Sequence, residues 1–215
     1  MMKRLLFLTG YYGSGKTEIA LNLAIKEKVD YVVDLDVINP YFRSRESEEL
    51  LKTNNIDVIS SDKEHSKFTD LPYISGRVFL PFQKEDVRAI YDLGGNDLGA
   101  KLLRQFEEYE NEIDLYLVVN VFRPETQTKE EIISLIKKIQ VSSGRDVTGL
   151  INNSNLLKET TIQYVYEGEL ILKEVSNELN LPIVYTCISQ RLVGEQHGFE
   201  GELLPLQIYL RKKWF

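Results

Sequence analysis

Residues 7–24 read FLTGYYGSGKTEIALNLA, and no other stretch restricts the fold as much. An apolar run ends at Thr9, glycines and one lysine follow, and apolar residues then return at helical spacing. Gly10, Gly15, Lys16 and Thr17 satisfy the phosphate-loop pattern G-x-x-x-x-G-K-[ST]. Each residue type answers a demand of a bound phosphate chain. Glycines let the backbone turn so that successive N–H groups converge on phosphate oxygens. The helix expected from Lys16 adds the positive end of its dipole. The lysine ammonium reaches the terminal phosphates, and the threonine hydroxyl suits Mg2+. The expected phosphate-binding set is therefore Gly10, Gly13, Ser14, Gly15, Lys16 and Thr17. A glycine-rich turn with an incidental lysine would match the same letters, but the strand before and the helix after favour the loop.

The rest of the chain supports that frame. Seven runs read as strands: RLLFLT, VDYVVDLD, IDVIS, VRAIYDLG, DLYLVVNV, VTGLINN and LPIVYTC. Several are apolar throughout, as strands buried on both faces are. Helical patterns lie between most of them, over 16–26, 43–52, 98–108, 128–140 and 160–179. This alternation predicts an α/β fold, a P-loop NTPase with a mostly parallel sheet flanked by helices on both faces. With 215 residues, one nucleotide-binding domain over 1–215 is expected. Residues 60–82 carry charges and two prolines without a clear period, and allow either a loop or an edge hairpin.

Charge and cysteine content exclude other classes. Lysine and arginine number 26 against 33 acids, a net charge of −7, so no nucleic-acid partner is expected. The single cysteine, Cys187, excludes an internal disulfide and suits a reducing cytoplasm. No apolar run approaches the roughly 20 residues of a membrane span. The apolar, basic C-terminal LPLQIYLRKKWF is read as docked, and stable membrane binding is not expected. His65 and His197 have no metal spacing and read as surface residues.

A phosphate loop needs an acid on another strand for its cation. Two strands end in candidates: Asp34 and Asp36 in VVDLD, and Asp92 in AIYDLGG. Ligands of parallel α/β sheets sit at the carboxyl ends of strands, so these acids fall on the edge of the loop. Thr17, Asp36 and Asp92 are thus the expected Mg2+ set. The glycines after Asp92 suit a switch whose backbone N–H groups approach a terminal phosphate and let go.

The order of these motifs, ending with GLINNSN, resembles the MinD/ParA-type P-loop ATPases of the SIMIBI class, a group that includes CobQ/CobB-type domains. The resemblance implies ATP and Mg2+ as ligands, with Lys16 and Asp36 as catalytic residues. Asp36 would orient the attacking water, Asp92 would hold Mg2+ through water, and Gly95 would sense the γ-phosphate. Asn152 or Asn153 would meet the base edge, and YTCISQ would close over the base. It further implies a slow hydrolase acting as a switch on a client protein or small molecule. The resembled group carries a second lysine early in the loop that reaches a dimer partner's nucleotide. Tyr11 stands there instead, so a homodimer is left open and ATP alone is not expected to drive it. Arg43 or Arg45 is the alternative cation. Guanine readers need an acid after their asparagine; NNSN offers none, which favours adenine. A P-loop kinase or ligase acting on a small molecule stays open, with Asp36 as base and Arg43 as anion clamp. So does a module that binds nucleotide without chemistry. VFRPETQTKEE reads only as a strand end followed by helix-capping chemistry at Thr126.

Overall fold

In the computed structural model, residues 2–36, 45–60, 76–95, 97–194 and 198–210 are described. The strands are β1 (Leu5–Thr9), β2 (Tyr31–Leu35), β3 (Asp57–Ser60), β4 (Ala89–Leu93), β5 (Ile113–Val119), β6 (Gly149–Asn152), β7 (Ile183–Ser189) and β8 (Glu202–Leu206). They form one sheet in the order β3-β2-β4-β1-β5-β6-β7-β8, with every neighbouring pair parallel. The helices are α1 (Lys16–Glu27), α2 (Arg45–Thr53), α3 (Asp97–Leu102), α4 (Lys129–Ser143) and α5 (Ile162–Leu179).

The apolar run LLFLT explains the central place of β1. Strand side chains alternate between faces, so a strand covered on both faces must be apolar at every position. Leu5 and Phe7 join one buried cluster, with Ile132 and Ile136 of α4 and Leu172 of α5. Leu6 and Leu8 join the other, with Ile19 and Leu23 of α1 and Leu51 of α2. Helices thus cover both faces. Their placement puts the carboxyl ends of β1, β2 and β4 side by side, with Leu8 beside Asp92 and Asp34 beside Asp92 in register.

Four local expectations change. An eighth strand, ELLPL, pairs parallel with β7 along 202–206, where the sequence suggested only a docked tail. Pro205 disguised it: a proline cannot donate to a ladder, and only an edge strand tolerates one. The helix expected over 98–108 ends at Leu102 and tightens into a 3-10 helix over Leu103–Glu112, non-helical at Phe106 and Tyr109. Thr128, not Thr126, caps α4, in a reciprocal capping box with Glu131. Thr126 is buried and its hydroxyl donates to Asn120 O at 2.8 Å. Within the unreadable stretch, Gly76–Gln83 forms a 3-10 helix that buries Val78 and Phe82; residues 61–75 lie outside the described residues. Among the described residues no helix is long and apolar enough to cross a membrane.

Candidate nucleotide-binding site

The loop between β1 and α1 is built as its sequence demands. Gly15 stands at the N-cap of α1 with φ 93°, in the left-handed region, and a Cβ there would lie 2.4 Å from Asn153 Nδ2. Lys16 opens the helix and is buried, its Nζ donating to Gly10 O and Tyr11 O at 3.0 Å each. Burial lowers its pKa, and Asp92 and then Asp36 oppose the shift. Gly95 comes so close that a Cβ would stand 2.8 Å from Tyr12 N and 3.0 Å from Lys16 Nζ. The turn after β4 therefore touches the loop at the lysine.

Asp92, at the end of β4, is 1% exposed. Its Oδ2 accepts the Thr17 hydroxyl at 2.6 Å. Its Oδ1 has no hydrogen-bond partner among the described residues, and neither has the buried Ser14 Oγ. Desolvation pushes the Asp92 carboxyl up to about 6; Lys16 and the Thr17 hydroxyl pull it down, and Asp36 pushes it up. Asp34, beside Asp92 on the neighbouring strand, is also buried, and its Oδ1 accepts the Asp36 backbone N–H at 3.0 Å, fixing the turn that brings Asp36 to the cavity wall. Among the described residues no group of three or more His, Cys, Asp or Glu side chains could hold a metal alone. A hydroxyl beside a buried carboxylate with one open oxygen fits Mg2+, which keeps its waters and takes few protein ligands beside substrate phosphates.

From Lys16 and Thr17 the cavity runs on between β6, β7 and the chain after β8. This half is apolar-walled: Leu157, Val165, Ile188, Leu206, Ile208 and Leu210 face it. Asn153 also lines it, and its Nδ2 donates to Ser14 O at 2.7 Å, joining the end of β6 to the loop. Asn152 is not on the wall. Its Nδ2 donates to Val165 O and Glu169 Oε2, and its Oδ1 accepts Ser154 N, so its amide holds α5 against β6. Of the two asparagines expected at a base edge, Asn153 is the one that lines the cavity. Cys187 and Ser189 of YTCISQ line the same half.

Three features escaped the sequence. Glu18, one residue past the loop, accepts the backbone N–H groups of Tyr209 at 2.5 Å and Leu210 at 3.3 Å. Asn22, one turn on, mimics a peptide: its Nδ2 donates to Gln207 O and its Oδ1 accepts Gln207 N, both at 2.9 Å. These contacts seat 207–210 as the far wall of the cavity. An acid in the first turn of α1 suits the helix dipole on its own, which leaves the clamp unmarked in the sequence. Glu169, buried in α5, accepts from Asn152, Thr186 and the Glu200 backbone N–H, tying β6, β7 and the approach to β8 together. Arg123, beyond the end of β5, lines the cavity beside the loop. Tyr12 is 61% exposed. Tyr11 sets its hydroxyl against the Glu125 carboxylate, which raises the phenol's pKa. Arg43, His65, His197 and residues 37–44 and 211–215 lie outside the described residues; Arg45 opens α2.

A phosphate loop on a central parallel strand, with an aspartate from the neighbouring strand on its threonine, defines a P-loop NTPase fold. Solved structures agree. The chain is similar to the cell division protein FtsY from Thermotoga maritima, at 15% identity and TM-score 0.54, over 85% of this chain and 60% of that one. It is similar to FtsY from Mycoplasma mycoides at 18% identity and TM-score 0.50, over 86% and 60%. FlhF complexed with GMPPNP and Mg2+ aligns at TM-score 0.47, below the level at which a shared fold follows. The FtsY likeness shows the P-loop fold alone and does not single out the MinD/ParA group. The chain spans about 60% of the length of the FtsY chains it matches. No family model and no curated protein sequence matches it.

Proposed function

We propose that this protein is a Mg2+-dependent nucleotide switch that binds ATP, hydrolyses it slowly and passes the change to a client protein or small molecule in the cytoplasm. The observation that carries the reading is the Thr17–Asp92 pair, with one Asp92 oxygen unpartnered among the described residues, beside the buried Lys16. In this reading Lys16 releases the loop carbonyls and donates to phosphate oxygens, while Thr17 and Asp92 hold Mg2+. Bound Mg2+ would neutralise phosphate charge. Asp36 orients the attacking water, and Gly95, lying against Lys16 and Tyr12, registers the terminal phosphate. Asn153 donates to or accepts from the base.

Adenine is favoured over guanine. Guanine's N–H groups require an acceptor, best a carboxylate. Among the described residues, the carboxylate that lines the apolar half, Glu18, is already committed to the backbone of Tyr209 and Leu210. A homodimer, where it forms, is indifferent to ATP against ADP, because Tyr11 offers a phenol held by Glu125 in place of a cation; light scattering at equal concentrations checks this. Calorimetric titration with Mg-ATP and Mg-GTP, on the wild type and on Lys16→Ala, tests the whole reading. Wild type should prefer ATP. Lys16→Ala should lose roughly tenfold to more than a hundredfold in affinity, the size of one or two charge-assisted hydrogen bonds. Equal affinity in the variant would remove the lysine from the site.

A further inference from the structure

Lys16 and Arg123 are the cations that face the cavity among the described residues. Arg123 follows β5 by four residues, where the chain leaves the sheet beside the phosphate loop. Its Nε donates to Gly13 O at 3.2 Å. Its guanidinium lies flat against Gly13: a Cβ there would stand 3.4 Å from both Cζ and Nε. Gly13 has φ 78° and no side chain, and so it gives the guanidinium room to lie on the loop itself. The terminal nitrogens of Arg123 have no hydrogen-bond or ion-pair partner among the described residues. Nearby Glu125 is turned to Tyr11 rather than to Arg123. A guanidinium is held here by its Nε edge, with its outer edge open toward the cavity.

We infer that Arg123 is a second phosphate ligand of the site, supplied from within the same chain. The inference rests on the nucleotide reading above and adds a residue to it. A guanidinium stays charged and presents paired N–H donors that match a phosphate's oxygens. Fixing Nε to the loop carbonyl orients that fork in advance, so little side-chain freedom is lost when phosphate arrives. A triphosphate brings more negative charge than one lysine and one divalent cation offset. Tyr11, an uncharged phenol at neutral pH, adds nothing to that balance. Arg123 supplies the missing positive charge on the same loop, at Gly13.

Calorimetry with Mg-ATP, Mg-ADP and adenosine separates phosphate contact from loop support. Arg123→Ala should lose about tenfold to a hundredfold in Mg-ATP affinity, as expected for lost hydrogen bonds to a charged group. Adenosine affinity should stay as in wild type, and Arg123→Lys should recover part of the loss. Unchanged Mg-ATP affinity overturns the inference. So does an equal loss for ATP and adenosine, which would mean that Arg123 only shapes the loop. Should Arg123→Ala fail to fold, Arg123→Gln, which can still donate to Gly13 O, carries the same comparison. Failure of the underlying reading looks different: wild type then binds no nucleotide, or Lys16→Ala binds as well as wild type.

Discussion

The two ends of the cavity are made in different ways. The phosphate end comes largely from one stretch, 10–17, completed by Asp92, Asp36 and Gly95 at neighbouring strand ends. The apolar end, which the proposed reading gives to the base and which is called the base end below, is gathered from β6, α5, β7 and 206–210, elements dispersed along the chain from 149 to 210. Phosphate chemistry dictates residue types: a cation, a hydroxyl, a carboxylate and a backbone that can turn. A planar base asks mainly for apolar walls a fixed distance apart, which many side chains supply. The first end is therefore written as letters, and the second as a shape held by polar contacts behind the walls, among them Glu169 and the Glu18–Asn22 clamp.

The largest test of this contrast lies at the phosphate end. Asp36→Asn should keep Mg-ATP binding yet slow phosphate release at least tenfold, within the roughly 10²–10⁴ that a positioned base contributes. Hydrolysis at the wild-type rate would take Asp36 out of the chemistry. Next comes stability. Burial pushes the Asp92 carboxyl up to about 6, from 3.8 for an unperturbed aspartate. Between those values the folded state binds more protons than the unfolded one, so this group costs stability as pH rises and costs nothing below about 4. In a chelator, Asp92→Asn should be more stable than wild type at pH 7, by up to about 3 kcal/mol for a two-unit shift. The gap should close toward pH 4; denaturant melts at both pH values read it. A constant gap would mean that Asp92 is not held against its charge. The smallest effect belongs to the base end. Glu18→Ala frees the Tyr209 and Leu210 amides and should weaken ATP binding by about tenfold or less. Inorganic triphosphate should bind as before, and an equal loss for both ligands would erase the distinction between the ends.

Legibility in the sequence followed the same divide. The loop, the sheet class and the two acidic strands were readable because each position is forced by backbone geometry or formal charge. Asn153 was readable only as one of a pair: both asparagines are buried, and only the contacts of Asn152 with α5 keep it off the cavity wall. Arg123 sat inside a segment whose capping chemistry was a sufficient account of it, and only the fold brings it back to Gly13. Strand β8 was hidden by Pro205, and the clamp by the 185 to 192 residues between its partners. The resemblance to MinD/ParA-type proteins implied the SIMIBI class; the FtsY likeness shows the P-loop fold and chooses no group within it.

The clamp between α1 and 207–210 also bears on how the protein is made. A ribosome releases the phosphate loop long before Tyr209. A growing chain can thus shape 10–17 well ahead of the wall that Glu18 and Asn22 seat. On the proposed reading, nucleotide capture would be a late event of synthesis: a stalled chain ending before Gln207 would present the loop with an open side.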